Sequence, residues 1–422
     1  MVHEPGSREE AFLRQKFREY YSKNQVYELP KVNEREFGYG TFERKIVNRH
    51  LQFDSQQLLQ DFLAREGPLH VSASVACYEN AKARTMKEMK LKHFDVIFEF
   101  DADAIPTDCK KNHDSWKCSK CPSNGKGLKE LCSDCGSKTV ESKWVCDKCL
   151  DATRFESQKL IKEFLFDDFG FNESEVYTNF SGNRGFHVYT RSTRLERVGK
   201  EGLLEMLDYV QGVNLDPELH GFRAIKEKKG QVLRGPKASD FGWPGRLARS
   251  AKEYFAQISP ERLSEDFKLS MPDAKKVLAD RESVLNGIDE GFWDQVSFGK
   301  SKEAKEIPAR FWAEAAKKFA VQGGADVDVQ SSVDVHKIMR VPGSLHGSSG
   351  LVGRVFPLKE LDTIDPLREC VVFSDKPVKV KVSNAPRFSL KGESFGPFED
   401  QEVELPEYAA VYLIARKAAL LA

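Results

Sequence analysis

Seven of the chain's nine cysteines fall between Cys109 and Cys149, with His113 among them. They form three C-x2-C pairs, Cys118/Cys121, Cys132/Cys135 and Cys146/Cys149, preceded by Cys109-x3-His113. Pairs at this spacing are how a chain presents tetrahedral zinc ligands. Residues 106–150 are poor in aliphatics and rich in Cys, Lys, Ser and Gly, so an apolar core cannot hold them together. They read as a metal-stapled insertion, and the core must come from the chain on either side. Cys118/Cys121 and Cys132/Cys135, ten residues apart, have zinc-ribbon spacing. Cys146/Cys149 then pairs with Cys109/His113; an alternative exchanges Cys118/Cys121 with Cys132/Cys135 between the two sites. Eight ligands make two closed sites, structural because no coordination position stays open. Lys110, Lys111, Lys117, Lys120, Lys126 and Lys129 give the insertion a positive surface, read equally as a solvated basic face or a contact with nucleic-acid backbone.

Clustered thiols outside disulfides fit a reducing compartment. Met1 to Glu10 is polar, unlike a signal peptide, and no run approaches the ~20 apolar residues of a membrane span. The expectation is a cytoplasmic, nucleoid-associated protein with no membrane association. Lys+Arg and Asp+Glu are equal at 65 each, which does not favour a generic polyanion binder but leaves room for a basic groove balanced elsewhere.

The remaining patterning predicts a mixed α/β (α+β) fold. Residues 8–24 and 156–169 have helical apolar spacing; 69–79 and 94–101 read as strands; 176–189 reads as strand, turn, strand. Residues 194–320 are mostly helical in pattern, 326–357 return to strand and turn, and Tyr408 to Leu421 reads as a final amphipathic helix.

Three motifs carry chemistry. In Phe98-Glu99-Phe100-Asp101-Ala102-Asp103, strand alternation would point Glu99, Asp101 and Asp103 to one face. Three carboxylates so placed repel unless hard cations such as Mg²⁺ lie between them. In Ser181-Gly182-Asn183-Arg184-Gly185-Phe186-His187, two glycines flank a polar pair, and Ser181, Arg184 and His187 suit a triphosphate. In the third, Asp326-Val327-Asp328 and Asp334 precede Arg340-Val341-Pro342-Gly343-Ser344-Leu345-His346, offering a further carboxylate and the phosphate-binding pair Arg340 and His346. Singly, these are also what a solvated strand end, a hairpin turn and a Pro-Gly turn look like. Their conjunction and order carry the reading.

In that order the chain resembles the small catalytic subunit of the archaeal and eukaryotic replicative primases, especially the archaeal form. The resemblance runs from about residue 10 to residue 357. Arg35-Glu36-Phe37-Gly38 with Arg49-His50-Leu51 resembles a family segment that lines the nucleotide site, and Gly242-Trp243-Pro244-Gly245-Arg246 resembles a Gly-Trp turn. The resemblance implies a primase-polymerase catalytic core with a zinc-binding insertion and a helical lobe. It divides the chain into 1–105 and 151–193 as core, 106–150 as insertion, 194–305 as lobe, and 306–422 as core completion and tail. It implies metal ligation by the acidic strand and Asp328, with Mg²⁺ or Mn²⁺ as catalytic cofactor and Zn²⁺ as structural cofactor. Ser181, Arg184, His187, Arg340 and His346 would bind nucleotide, assisted by Arg49.

The family carries one zinc site here, so Cys109, His113, Cys146 and Cys149 read as that site. Cys118, Cys121, Cys132 and Cys135 then form a nested ribbon. The family pattern has Asp where this chain has Glu99, so the metal pair is either Glu99/Asp101 or Asp101/Asp103. The implied activity is template-directed synthesis of short RNA, alternatively DNA, primers by two-metal nucleotidyl transfer. The implied partners are single-stranded DNA, NTPs or dNTPs, and an iron–sulfur large subunit. Rival readings are a repair or mobile-element primase-polymerase and a catalytically inactive zinc-ribbon nucleic-acid-binding protein.

Overall fold

The computed structural model describes residues 6–195, 198–216, 218–227, 230–293, 318–319, 323–328, 332 and 334–422. The parts of the expected lobe and core completion that fall on 294–317 lie outside the described residues.

The chain opens with the helix Arg8–Tyr21. The Ser7 side chain caps it by accepting from the Glu10 N–H, and Leu13, Phe17 and Tyr21, one turn apart, are buried. Strands β1 (Phe37–Gly40) and β2 (Asn48–Leu51), the helix Gln56–Glu66, and strands β3 (His70–Ser74), β4 (Ala76–Tyr78), β5 (Leu91–Phe94) and β6 (Val96–Asp101) follow. The insertion contributes β7 (Ser115–Cys118), β8 (Asn124–Lys126) and β9 (Thr139–Ser142). The helix Asp147–Lys159 then runs straight into a π-helical stretch, Leu160–Asp168, where one amphipathic α-helix over 156–169 was expected. The hairpin β10 (Val176–Phe180) and β11 (Gly185–Thr190) completes the middle of the core.

Next come the helix Lys200–Gln211, the hairpin β12 (Arg223–Glu227) and β13 (Gly230–Arg234), and the helices Gly242–Gln257, Pro260–Phe267, Met271–Ala279 and Arg281–Glu290. The chain ends with β14 (Ile338–Arg340), β15 (Val355–Phe356), β16 (Pro377–Ala385), β17 (Phe388–Leu390), β18 (Glu393–Phe395), β19 (Phe398–Pro406), the helix Glu407–Ala415 and β20 (Ala419–Leu421).

These elements divide into two compact units. The larger comprises Met1–Ile161, Phe171–Lys200 and Val327–Ala422. It is built on two four-stranded sheets, ordered β14-β3-β1-β2 and β15-β10-β11-β6. Met339 from the first sheet, Val75 just after β3, and Ile97 and Tyr189 from the second form one buried cluster. β14 lies far from β3 along the chain, yet it pairs with it in the register Arg340↔Ser72 and Ile338↔Ser74. The late motif is thereby carried into the first sheet.

The smaller unit, Lys162–Gly170 with Glu201–Asp326, has its own core. Trp243 is buried there, and the guanidinium of Arg246 stacks on Phe164 at 3.9 Å while pairing with Asp168 at 2.7 Å. The Gly242–Arg246 segment is thus the first turn of the helix Gly242–Gln257, not a free turn.

The last helix also differs from expectation. It stops at Ala415, and every residue from Glu407 to Ala415 is buried, so it has no polar face. It is packed against β16, β19 and β20 and the first helix. Its one acidic residue, Glu407, is matched by Lys16 at 2.7 Å and by the Ser374 N–H and hydroxyl. A helix enclosed on all sides shows no periodicity that separates inside from outside.

Candidate active site and metal centres

Along β6, Val96, Phe98 and Phe100 are buried on one face, while Ile97, Glu99 and Asp101 share the other. The antiparallel partner β11 sets Tyr189 opposite Ile97, His187 opposite Glu99 and Gly185 opposite Asp101. Directly opposed residues project to the same side of a sheet, so the first and second sequence motifs meet on one face.

Asp103 departs from the expected row of three carboxylates. The strand ends at Asp101, whose Oδ1 accepts the Asp103 N–H at 2.9 Å and so turns the chain. The Asp103 carboxylate instead meets Arg184 Nη1 at 2.9 Å and, more loosely, Lys143 Nζ at 3.6 Å. Asp101 has an accessible edge, yet desolvation by the surrounding protein raises its carboxyl above the ordinary value. The Asp103 N–H and Arg184 oppose that rise, and the Asp103 and Glu99 charges add to it.

Asp328 reaches the site from far along the chain: its N–H donates to the Glu99 carbonyl at 3.1 Å, beside β6. Glu99 Oε1 is paired with the Lys337 ammonium at 2.7 Å. Glu99, Asp101 and Asp328 are not among the groups whose ligand atoms all approach within 4.8 Å of one another.

The hairpin tip is closed by Ser181, whose Oγ accepts from the Asn183 and Gly185 N–H groups at 3.3 and 3.2 Å. Gly182 has φ +82°, and a Cβ there would press on His346 Cβ and the Leu351 carbonyl at 3.1 Å. Glycine thus lets the second motif lie against the third. Among the described residues, Asn183 Oδ1, Arg184 Nε and His187 Nδ1 are buried atoms without a hydrogen-bond partner. Such atoms make their hydrogen bond with water or with a polar ligand.

Arg340 projects from β14 and donates to the Leu345 carbonyl and to His70 Nδ1, each at 3.1 Å. The ring of His346 stands edge-on to His70 at 5.5 Å. Burial, helped by Arg340, holds His70 down to about 2 and His346 well below the ordinary imidazole value. Burial likewise lowers His187 to about 4, against the opposing pull of Glu99. All three imidazoles are therefore neutral near pH 7 and offer hydrogen bonds, while Arg184 and Arg340 supply the positive charge. His346 Nδ1 accepts the Ser348 N–H at 3.0 Å, which leaves its proton on Nε2. His70 was not singled out in the sequence; a histidine inside a β-rich stretch carries no local signal of a partner 270 residues away.

Arg49 is gathered by a different route. Its Nε and Nη2 donate to the two oxygens of Glu36, both at 2.9 Å, and Glu36 is fully buried. The Arg49 stem crosses Gly38, on the same face of the first sheet as Ser72 and Arg340. Arg35, expected to help line the nucleotide site, is instead buried in scaffold, bonding Asp95 at 2.8 Å and the Ser74 carbonyl at 2.7 Å.

The insertion gathers its ligands in the nested arrangement. Cys109, His113, Cys146 and Cys149 converge, and Cys118, Cys121, Cys132 and Cys135 converge separately. Sulfurs tetrahedrally placed about zinc at ~2.3 Å lie about 3.8 Å apart. The separations here are 3.4 Å for Cys118–Cys135, 3.6 Å for Cys121–Cys132 and 3.8 Å for Cys146–Cys149. His113 turns Nε2 to the Cys149 sulfur at 3.3 Å and Nδ1 to Asp114 at 2.8 Å, and Asp114 also takes the Trp144 N–H. A carboxylate behind a ligating imidazole fixes its tautomer. Both sets fit a metal such as zinc. A third convergence, Glu34, Cys77 and His93, is already matched by ammonium groups: Lys92 on Glu34 at 2.5 Å and Lys31 on His93 at 3.1 Å.

Among the described residues no helix is long and apolar enough to cross a membrane. A family model described as the DNA primase small subunit matches residues 133–357. The chain is 30% identical to the DNA primase small subunit PriS of Methanococcoides burtonii, with 97% of each protein covered. It is 31% identical to PriS of Methanosarcina mazei, covering 98% of this chain and 97% of that one. With PriS of Nitrosopumilus maritimus the identity is 27%, over 97% and 98%. Motif order, the meeting of the motifs on paired sheets, and similarity along the whole length agree: the chain belongs to the DNA primase small subunit family.

Proposed function

We propose that this protein is the catalytic subunit of a DNA primase, joining ribonucleotides into short primers on single-stranded DNA. The observation that carries the reading is the cross-strand placement of His187 against Glu99, beside Asp101 and Asp328. In this reading His187 would meet the triphosphate on the face where Glu99 and Asp101 would hold the metal. Mg²⁺ or Mn²⁺, held by Glu99, Asp101 and Asp328, would supply activation of the attacking 3′-hydroxyl and charge neutralisation at the leaving pyrophosphate.

The chain's own residues do the rest. Arg184 and Arg340 pair with the β- and γ-phosphate oxygens. Neutral His187 and His346 and the Ser181 hydroxyl donate hydrogen bonds to the same oxygens. Asp103 holds Arg184 in its bound orientation. Arg49, oriented by Glu36, assists from the first sheet. No protein nucleophile takes part. Of the two metal pairs, Glu99/Asp101 and Asp101/Asp103, the reading takes the first: Asp103 meets Arg184 and Lys143, and a cation bound at Glu99 would take the place of the Lys337 ammonium.

Zinc fills both cysteine sets in this reading, as a structural metal. The partner in this reading is an iron–sulfur large subunit, as the family resemblance implies. The setting is the cytoplasm. The test is incorporation of labelled nucleotide on single-stranded DNA with Mg²⁺ or Mn²⁺, comparing wild type with Asp101→Ala. Template-dependent short products lost in the variant are the expected result. No product from wild type, even with annealed primer and large subunit present, would overturn the enzyme reading.

A further inference from the structure

A cleft of about 1100 Å³ opens within the larger unit. Asn183, Arg184 and Ser348 line its inner end, so it begins at the hairpin described above. One wall is the three-stranded sheet β8-β7-β9 of the inner ribbon, through residues such as Lys117, Asn124 and Glu141. The other is the C-terminal sheet and the residues after the last helix, through Asn384, Glu399 and Arg416. Arg416 joins the walls at their base: its guanidinium stacks on Trp144 at 4.4 Å and on Tyr412 at 5.2 Å, and donates to the Lys143 carbonyl.

At about 1100 Å³ the cleft lies at the top of the ~300–1000 Å³ range of small-ligand pockets, so its size admits a segment of extended chain. Six cationic side chains line it against three carboxylates, in a protein whose charges cancel overall. Within the lining Glu141 is answered by Lys143 at 3.7 Å, while Arg184 and Lys417 are paired with carboxylates outside it, Asp103 at 2.9 Å and Glu43 at 3.3 Å. Serine and asparagine side chains fill much of the remaining lining. The two tryptophans at the cleft, Trp116 and Trp144, are buried and engaged with Lys129 and Arg416, so they offer no open face on which a base could stack. Cations and hydroxyls without an aromatic platform read a phosphodiester backbone without reading sequence.

We propose that this cleft carries the backbone of a single polynucleotide strand between the inner zinc ribbon and the C-terminal sheet, to or from the catalytic hairpin. The proposal rests on the primase reading and adds to it a path for the strand. It gives the inner ribbon a task separate from catalysis.

The test uses the full chain and two surface substitutions of opposite sign, Lys117→Glu and Glu399→Lys. Binding of fluorescein-labelled single-stranded DNA and, separately, RNA is measured by anisotropy at several salt concentrations. Mn²⁺-dependent nucleotide binding is measured in parallel. Lys117→Glu should weaken strand binding roughly 3–10-fold and lower the salt slope by about one. Glu399→Lys should tighten it, with nucleotide binding and zinc content unchanged in both. An effect on DNA alone assigns the cleft to template, and one on RNA alone assigns it to product. Unchanged strand affinity in both variants, with nucleotide binding and primer synthesis intact, would overturn the cleft and leave the primase reading standing. Loss of nucleotide binding by the wild type would instead sink the primase reading.

Discussion

His187 on β11 stands directly across the strand pair from Glu99 on β6, so the imidazole proposed to bind phosphate and the carboxylate proposed to bind metal share one face of one sheet. The arrangement depends on register: a slip of one residue would send His187 to the apolar side with Phe98 and Phe100. Two hairpin strands and the acidic strand therefore form a single functional unit.

Asp101 and Asp103 should separate kinetically, although both lie in the acidic motif. Asp101→Asn removes a metal-binding carboxylate from the sheet face and should lower kcat by about 10²–10³-fold. Asp103→Asn releases Arg184 and should act mainly through nucleotide KM, by about tenfold. Steady-state primer extension with varied nucleotide gives both parameters. Equal losses of kcat in the two variants would place Asp103 among the metal ligands after all.

The two cysteine sets should differ in what their loss does. Cys146 and Cys149 begin the helix Asp147–Lys159, whose Thr153 and Ser157 are fully buried beside β11 and β6. Cys146→Ser should remove one equivalent of zinc and lower the melting temperature by roughly 5–10 °C. Cys118→Ser should also remove one equivalent but leave the main transition within about 2 °C, because the inner ribbon packs on itself through Trp116, Cys118 and Cys132. Metal analysis and calorimetry on each variant check both statements.

Arg49→Ala leaves the buried Glu36 carboxylate without its bidentate partner and should cost about 3 kcal/mol of stability. Adding Glu36→Gln should restore most of that loss without restoring nucleotide affinity. Urea unfolding and nucleotide binding on the single and double variants distinguish the pair's structural part from its functional part.

Acid should destabilise this fold through its neutral histidines. His70 sits at about 2 and His187 at about 4 when folded, while an unfolded histidine titrates near 6.5. Below pH 6.5 the unfolded chain binds protons that the folded chain refuses, so stability is fully present above that value and falls as pH drops. Each such histidine should cost up to about 2 kcal/mol by pH 5. His70→Gln keeps an acceptor for Arg340 but cannot titrate, so the loss between pH 7.5 and pH 5 should shrink by about that amount in urea denaturation. An unchanged loss would mean that His70 charges freely in the folded protein.

Much of this protein was legible in its sequence because the signals are local. C-x2-C spacing is set by the reach of neighbouring side chains to one ion, and the alternation around Phe98 and Phe100 is set by the strand period. The Gly182 turn follows from a backbone angle that favours glycine. The order of the three motifs placed the chain in its family. Tertiary structure decided what depends on distance in space. It grouped the eight zinc ligands as an outer and an inner set, and it ended β6 at Asp101 so that Asp103 turned to Arg184. It set the Asp328 N–H on the Glu99 carbonyl, His70 under Arg340, and Glu36 behind Arg49. The last helix read as amphipathic in sequence and is buried all round, because the sheet and helix enclosing it come from both ends of the chain. Spacing along a chain reports which side chains can share an ion or a face; only packing determines which distant segment arrives to complete them.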